Sequence, residues 1–396
     1  MMRSKSWLLP DGIDELLPDQ AEALESLRRE LLDTYRSWGY RLVIPPMIEY
    51  LESLLTGAGK DLELQTFQLT DQLSGRQLGI RADITPQAAR IDAHQLQHQG
   101  PTRLCYIGSV LRTRPDGFSS SRSPLQIGAE LYGHAGIESD AEVLCLMMET
   151  LRIAGLKEIY LDLGHVGIYR SLARQAGLDA DQETTLFAAL QRKAHPEISE
   201  LVSGFGLDAR LAAMFNALAD LNGGPEVLER AGAVLGDAPA EVGEAIDYLR
   251  ALGEHLAQCL PDVPVHYDLA ELRAYNYQTG VVFAAFVPGQ GTEVARGGRY
   301  DQVGEKFGRA RPATGFSADL KTLMVLGGRQ SLGGEAEGAI LAPAQGDSAL
   351  EEKIAELRHA GEVVVRELPG QPMEPAEAGI TARLEAQAGA WIVVPL

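Results

Sequence analysis

Polar and apolar residues alternate strictly between positions 125 and 131, which is the clearest periodic signal in the sequence. Gln126, Gly128 and Glu130 fall on one face of the predicted strand, and the aliphatic residues between them fall on the other. The preceding segment, 103–112, also has the composition of a strand. The two segments therefore predict an antiparallel hairpin with one polar and one apolar face.

The polar face of this hairpin contains the first candidate functional residues. Gln126 and Glu130 are separated on that face only by a glycine, so they would form a polar floor open to a small ligand. Arg112, at the end of the first strand, would place a fixed positive charge near that floor. This layout is typical of a site that activates an amino acid, although other groups which such chemistry needs are missing from the sequence.

Apolar residues at helical spacing predict the principal helices. An amphipathic helix follows Pro18, and Gly39 is placed to end it. Ser139 and Glu142 predict a capping box at the start of a helix that extends to about residue 155. A further helix is predicted around 314–326.

Short apolar runs between turn residues predict the remaining strands. The segment 40–44 reads as a strand that ends at Pro45-Pro46, and proline at a strand end suits a sheet edge or an interface. Segments 64–70 and 76–83 predict a hairpin. Further strands are predicted at 159–163, 263–269, 279–287, 339–343, 362–366 and 391–395.

These elements predict an α+β fold, with an antiparallel sheet flanked by helices and interrupted by a helical insertion. The predicted boundaries are 1–165 for the first part of the core, 166–260 for the helical insertion, 261–326 for the second part of the core, 327–338 for a linker and 339–396 for a small C-terminal α/β domain. The sequence contains neither GxxxxGK[ST] nor a strand-linked GxGxxG, so a nucleotide would need a different kind of site.

Composition narrows the possible partners. The 396 residues carry a formal net charge of −20, which counts against nucleic-acid binding and fits docking onto a basic partner. No apolar run approaches the roughly 20 residues of a membrane span. The three cysteines are far apart in the sequence, which favours reduced thiols in a cytoplasmic protein. The eight histidines lack ligand spacing, and we expect neither a metal nor a cofactor.

The order of these segments resembles the catalytic core of class II aminoacyl-tRNA synthetases, and of histidyl-tRNA synthetases in particular. The resemblance covers roughly residues 7–326. The segments that carry it are GYRLVIPPMIE (39–49), the stretch from Arg112 to Gly133, LRAYNYQTGVVF (272–283), ARGGRYD (295–301) and GFSADLKTL (315–323). The first of these resembles the motif through which the family forms dimers. Each motif is weak alone, but five in the right order are specific.

The resemblance implies a histidine-binding pocket. It implies that Asp83, Thr85 and Gln126 hold the ammonium group, that Glu130 lies near the bound amino acid, and that Arg273 binds its carboxylate. The other residues that it adds to this pocket are Arg112, Tyr275, Tyr277 and Tyr300. At Asp83 the family has the longer glutamate, and its paired tyrosines correspond here to Tyr277-Gln278.

Each of these positions also has a purely structural interpretation. Asp83 could cap a helix that begins at Thr85-Pro86, and Gln126 and Glu130 could line a solvated sheet face. Arg273 could form a surface salt bridge, and Gly297-Gly298 could be a simple turn. The tyrosines could belong to the core. The agreement of all these positions with one pocket favours the functional interpretation.

The sequence departs from the family at the positions where the family's enzymes bind the nucleotide. In the stretch from Arg112 to Gly133, Arg114 stands where the family has a glutamate, and Pro124 stands where it has a phenylalanine that stacks on adenine. Thr322 occupies the place of the arginine that holds the phosphates, and a neutral hydroxyl cannot replace a bidentate clamp. Only about 60 residues follow the linker, so we expect a shortened version of the anticodon-binding domain and no tRNA recognition.

The sequence thus keeps the residues of the amino-acid-binding part of the family's site and lacks those of the nucleotide-binding part. In this combination it resembles the regulatory subunits of ATP phosphoribosyltransferase. That resemblance implies a non-catalytic chain in histidine biosynthesis. Such a chain activates the short-form catalytic subunit, responds to histidine as effector, and forms a homodimer within a hetero-oligomer. Three alternatives remain open: an active histidyl-tRNA synthetase, another synthetase paralogue that activates an amino acid, and a scaffold that binds no ligand.

Overall fold

The computed structural model describes residues 8–56, 60–115, 121–271, 277–329, 338–370 and 379–396. The chain divides into two compact units. The larger unit comprises Met1–Leu17 and Leu24–Gly328, and the smaller one comprises Pro18–Ala23 and Arg329–Leu396.

The larger unit is built on a nine-stranded sheet with the order β1-β5-β6-β12-β11-β10-β7-β9-β8. Its strands are β1 (Arg41–Leu42), β5 (Thr102–Ser109), β6 (Leu125–Tyr132), β7 (Tyr160–His165), β8 (Asn222–Gly223), β9 (Val265–Asp268), β10 (Val281–Phe286), β11 (Ala295–Arg299) and β12 (Ala313–Asp319). All neighbours are antiparallel except β1 with β5 and β7 with β9. The antiparallel hairpin predicted from the sequence is confirmed as β5 and β6.

Helices α1 (Pro18–Ser37) and α5 (Ile137–Ile153) flank this sheet. In α1 the buried Leu27, Leu31 and Tyr35 recur at intervals of four residues, which confirms the amphipathic helix expected from the sequence. The Tyr35 hydroxyl lies 2.9 Å from the Thr150 hydroxyl of α5, so the buried phenol has a polar partner.

A smaller sheet, β2-β4-β3, lies in the same unit. It consists of β2 (Ile48–Tyr50), β3 (Phe67–Thr70) and β4 (Gln77–Ile80), with α2 (Leu51–Leu54) and α3 (Lys60–Gln65) between its strands. The antiparallel pairing of β3 with β4 confirms the predicted hairpin. Asp71 closes its turn by accepting hydrogen bonds from the amides of Leu73 and Ser74.

The helical insertion contains six helices between Val166 and Cys259. They are α6 (Val166–Ala176), α7 (Ala180–Gln191), α8 (His195–Gly204), α9 (Ala209–Leu218), α10 (Glu226–Val234) and α11 (Ala240–Cys259). Within the core, α4 (Thr85–Arg90) continues into a π-helical segment, Ile91–Leu96, and α12 (Leu320–Leu326) follows β12.

Two predictions about helices are wrong. The segment 314–326 is not one helix, because 313–319 forms β12 and only Leu320–Leu326 is helical. The strand forms because β6 and β11 pair with it on both sides. Ser139 does not cap α5, which begins after Gly136. Its hydroxyl donates to the Gly136 carbonyl at 2.7 Å, and Glu142 instead accepts two hydrogen bonds from Arg103.

The smaller unit is an α/β fold with a four-stranded sheet of order β14-β13-β15-β16. Its elements are β13 (Ala339–Ala342), α13 (Ser348–His359), β14 (Val364–Arg366), β15 (Ile380–Gln387) and β16 (Ala390–Pro395). Ile340, Leu350, Ile354 and Leu384 pack together in its core. The sequence did not indicate β15. In the described part of the chain, no helix is long and apolar enough to cross a membrane.

Candidate functional site

Gln126 connects the central sheet to the segment that precedes α4. It lies on β6 and is 4% exposed, so its amide needs protein partners. Its Nε2 donates to Asp83 Oδ1 at 2.9 Å, and its Oε1 accepts from the Ile84 amide at 2.9 Å. Gln126 therefore fixes the segment that precedes α4 against the central sheet.

Asp83 joins the start of α4 to the central sheet. Its Oδ1 accepts from the Thr85 amide at 2.8 Å, at the first residue of α4, and the same carboxylate accepts from Gln126. Arg81 does not share this environment, because β4 ends at Ile80. Its guanidinium instead donates to the carbonyls of Pro45 and Ser109. The spacing of residues 81, 83 and 85 predicts that all three lie on one side of a strand end, and this prediction is wrong for Arg81.

Glu130 is the centre of the site. It is 1% exposed, and it accepts hydrogen bonds from the hydroxyls of Tyr106, at 2.9 Å, and Tyr300. The Tyr106 hydroxyl also lies 2.9 Å from the hydroxyl of Thr85. Burial raises the pKa of Glu130 to about 8, against the lowering effect of the two tyrosine bonds, and the charge of Asp83 raises it further. The predicted alternative of a solvated face is therefore wrong.

This raised pKa predicts a pH dependence of stability. The pKa of Glu130 is raised above its ordinary value of 4.5, so between these two values the unfolded chain releases a proton that the folded chain keeps. Each pH unit in this window should lower the free energy of unfolding by up to about 1.4 kcal/mol. We expect the difference in this free energy between the wild type and Glu130→Gln, measured by urea denaturation, to fall between about pH 5 and pH 8. A constant difference would contradict a buried, protonated Glu130.

Two glycines make room for the Glu130 cluster. Gly128 faces Tyr106 across the β5–β6 ladder, and a Cβ atom at Gly128 would collide with the Tyr106 hydroxyl. Gly315 faces Glu130 across the β6–β12 ladder, and a Cβ atom there would collide with Glu130 Oε2. The polar floor predicted from the sequence is thus occupied partly by a tyrosine from the neighbouring strand.

Stacked tyrosines form another wall of the site. The rings of Tyr277 and Tyr300 lie 5.1 Å apart at 29°. The Tyr277 hydroxyl is buried and has no hydrogen-bond partner among the described residues. A buried polar group in this state is costly, so the hydroxyl is suited to receive a ligand.

The structure thus brings together six of the predicted site residues: Asp83, Thr85, Gln126, Glu130, Tyr277 and Tyr300. Arg273 and Tyr275 lie outside the described residues. Sequence analysis missed Tyr106, although pairing the two predicted strands in register would have placed it opposite Gly128.

A cavity of about 160 Å³ adjoins the site. Arg112 lines it and donates from Nε to the Ala82 carbonyl at 3.4 Å. The other polar residues around the cavity include Gln126, Glu293, Arg296, Ser317, Asp319 and Thr322. Its two arginines are therefore accompanied by two carboxylates, so the charge around the cavity is balanced and does not favour a triphosphate.

Thr322 has a structural role at the edge of this cavity. Its hydroxyl donates to Asp319 Oδ2 at 2.7 Å, while Asp319 Oδ1 accepts from the amides of Leu125 and Lys321. The Lys321 ammonium donates to Asp14 and to the Ser123 carbonyl. The polar groups of the segment 315–323 are thus bound within the protein.

The structural alternative for Gly297-Gly298, a simple turn, is wrong. Both residues lie inside β11, between β10 and β12. A Cβ atom at Gly297 would collide with the Gly315 carbonyl, so the close approach of these strands requires glycine. In the described part of the chain, no group of three or more acidic, histidine or cysteine side chains could hold a metal ion.

Comparison with known proteins identifies two family models in the chain. The model described as histidyl-tRNA synthetase matches residues 12–323. The model described as the C-terminal domain of the ATP phosphoribosyltransferase subunit HisZ matches residues 337–394.

Curated relatives match along the whole chain. The ATP phosphoribosyltransferase regulatory subunit of Methylococcus capsulatus is 57% identical over 98% of this chain and 96% of the relative. The one of Alkalilimnicola ehrlichii is 55% identical over 100% of this chain and 98% of the relative.

Solved structures show the same architecture. A Bacillus halodurans protein described as an ATP phosphoribosyltransferase regulatory subunit/histidyl-tRNA synthetase has a TM-score of 0.82 at 27% identity, covering 95% of this chain and 97% of its own. The histidyl-tRNA synthetase of Nostoc sp. PCC 7120 has a TM-score of 0.77 at 16% identity, covering 98% and 97%, which shows the fold alone. The class II synthetase-like fold expected from the sequence is confirmed. Whole-length identity to the curated relatives, together with both family models, places the chain in the family of ATP phosphoribosyltransferase regulatory subunits.

Proposed function

We propose that this regulatory chain binds histidine in the pocket around Glu130 and transmits that binding to a short-form ATP phosphoribosyltransferase catalytic subunit, in which the activity resides. The observation that carries the proposal is the fully buried Glu130 between two tyrosine hydroxyls, beside the unpartnered hydroxyl of Tyr277. Polar groups gathered in a buried site without a solvent shell are typical of a ligand pocket.

The chemistry of these groups matches that of histidine. An imidazole ring has one nitrogen that donates and one that accepts a hydrogen bond, and it can bind a carboxyl group and a phenol together. With a pKa of about 8, Glu130 can donate its proton to the ring or accept one from it near neutral pH. Asp83 supplies a negative charge for the ammonium group, and Arg112 supplies a positive charge on the side of the cavity.

Regulation requires that histidine bind one arrangement of the complex more tightly than another. A ligand can shift an equilibrium only by its differential affinity for the two states. The pocket is suited to this role because its groups bind one another through defined hydrogen bonds, which a bound histidine must rearrange.

The charge distribution supports a non-catalytic role. Transfer to or from a nucleotide develops negative charge on phosphate, which needs arginines or a metal ion. Thr322 and Asp319 bind each other at the place where the resemblance requires an arginine. We therefore assign the chemical step to the partner chain and give this chain the sensing role.

Reconstitution with a short-form catalytic subunit tests the proposal. We expect the two chains to co-purify, the transferase activity to be high only when both are present, and histidine to lower it. The matched measurement is ATP–pyrophosphate exchange by this chain alone with histidine, where we expect no exchange. Exchange at a rate comparable to that of a histidyl-tRNA synthetase would refute the proposal.

We further propose that the chain forms a homodimer through its first-motif surface. β1 is the terminal strand of the large sheet, and the residues around it and β2 expose apolar side chains: Leu42, Ile44, Met47, Ile48 and Tyr50. Several large apolar side chains exposed within one short segment are typical of a protein–protein interface.

Ile44→Glu should weaken this dimer. Ile44 is 80% exposed, and a charge placed within a symmetric interface is buried twice. We expect the dimer dissociation constant, measured by sedimentation, to rise about tenfold or more. Leu73→Glu is the control, because Leu73 is equally apolar and 98% exposed but lies in the β3–β4 turn. An unchanged dimer in the Ile44 variant would place the interface elsewhere.

A further inference from the structure

We propose that the helical insertion is the part of the chain that responds when the pocket is occupied, through two contacts that connect the stacked tyrosines to α6 and to α11. The proposal rests on the histidine pocket described above, and it adds the route by which occupancy is transmitted. The two contacts come from different helices. One ends beside Tyr300 and the other ends beside Tyr277, which stacks on it.

The first contact runs from Glu130 to α11. Tyr300 donates to Glu130, and the residue directly before it in the chain is Arg299, whose side chain is 7% exposed. Arg299 donates from Nε to Asp140 Oδ2 at 3.1 Å, and Nη2 lies 3.0 Å from the same oxygen. The hydroxyl of Tyr248, on α11, donates to that carboxylate as well. Arg299 and Tyr248 thus converge on the Asp140 carboxylate, so a shift of Tyr300 that moves Arg299 acts on the partner of Tyr248.

The second contact runs from the other stacked tyrosine to α6. Gln278 follows Tyr277 directly and is 8% exposed. Its carbonyl accepts from Arg170 Nη2, on α6, at 3.1 Å. Two residues further on, the Gly280 carbonyl accepts from the Val166 amide at the start of α6, also at 3.1 Å. The backbone behind Tyr277 is thus bound directly to the helical insertion.

Burial makes the first contact stiff. Asp140 is fully buried, and its charge is compensated by Arg299, so neither group can move alone without leaving an unpaired charge in the interior. Stacking joins Tyr300 to Tyr277, so a ligand that displaces one ring acts on both contacts. A displacement in the pocket therefore passes to α6 and α11 together.

If the two contacts only fixed the helical insertion to the core, the dynamics of the insertion would not change when the ligand binds. Amide hydrogen exchange distinguishes the two roles. In the full-length wild-type chain, we expect saturating histidine to slow exchange in α6 and α11 by about threefold or more. In Tyr248→Phe, which removes only the hydroxyl that reaches Asp140, histidine should still bind, but the response of α11 should fall by at least about half.

Tyr169→Phe is the matched control. It removes another tyrosine hydroxyl from the insertion, one that donates to the Glu183 carbonyl within the insertion itself. We expect this variant to keep the full exchange response. A full response in Tyr248→Phe as well, or none in the wild type at saturating histidine, would overturn the proposal while leaving the pocket assignment intact.

A double-mutant cycle tests the coupling without histidine. Glu130→Gln and Tyr248→Phe alter the two ends of the first contact. If that contact transmits strain, the unfolding equilibrium constant of the double variant should depart from the product of the single effects by about threefold or more. Simple additivity would overturn the route. Absence of histidine binding in the wild type by calorimetry would instead refute the pocket, so the two failures are distinguishable.

Discussion

Glu130→Gln should strongly weaken the response to histidine while leaving the fold intact. Glutamine has nearly the same size as glutamate. Its Oε1 can accept from one of the hydroxyls of Tyr106 and Tyr300, and its amide group can donate to the other, so the pocket keeps its shape. It can neither carry a negative charge nor exchange a proton with an imidazole ring. Loss of a charge-assisted hydrogen bond in a buried site costs about 2–3 kcal/mol, which corresponds to roughly a 30- to 150-fold loss of affinity.

Isothermal calorimetry with histidine measures this loss directly, and feedback inhibition of the reconstituted complex provides the functional readout. Glu52→Gln is the control, since Glu52 pairs with Arg76 at an exposed position and should leave both measurements unchanged. If Glu130→Gln binds histidine as tightly as the wild type, the effector site lies elsewhere. The cavity beside Arg112 would then be the next candidate.

Gly315→Ala should damage both the pocket and the stability of the core. A methyl group at this position would collide with Glu130 Oε2 and lie 2.8 Å from the Ala129 carbonyl, which belongs to a strand and cannot move aside easily. Overpacking of this kind costs about 1–3 kcal/mol of unfolding free energy. Because Glu130 must turn away, we also expect histidine affinity to fall about tenfold or more.

Urea denaturation and calorimetry together test this variant. Gly243→Ala is the matched control, because Gly243 lies on α11 with open space around its Cβ position. That change should be neutral, or should stabilise the protein by up to about 1 kcal/mol, since alanine has the higher helix propensity. A Gly315→Ala chain that matches the wild type in both measurements would show that β6 and β12 can separate at low cost.

The sequence predicts the part of the site that depends on one strand alone. Gln126 and Glu130 follow from the alternation along β6, which the structure contains as expected. Tyr106 could not be placed in the same way, because its role depends on the register between β5 and β6. The contact between Tyr300 and Glu130 depends on the positions of β11 and β12 as well.

The errors in predicting the fold have a similar cause. The segment 313–319 is rich in small residues with weak local preference, and its strand conformation comes from hydrogen bonds to neighbours distant in sequence. The spacing of Ser139 and Glu142 matches a capping box, but Arg103 on a distant strand takes the carboxylate. Local sequence patterns predict where many helices and strands occur. The hydrogen-bond partners of their polar groups depend on contacts between segments that are distant in the sequence.

The pair formed by Thr322 and Asp319 makes the loss of a phosphate clamp hard to reverse. Asp319 also accepts from the amides of Leu125 and Lys321, so it cannot be replaced without unpairing the start of α12 and of β6. An arginine restored at position 322 would meet this carboxylate and be neutralised by it before any phosphate arrived. A phosphate-binding arginine at position 322 would therefore also need a change at Asp319 that keeps the amides of Leu125 and Lys321 paired.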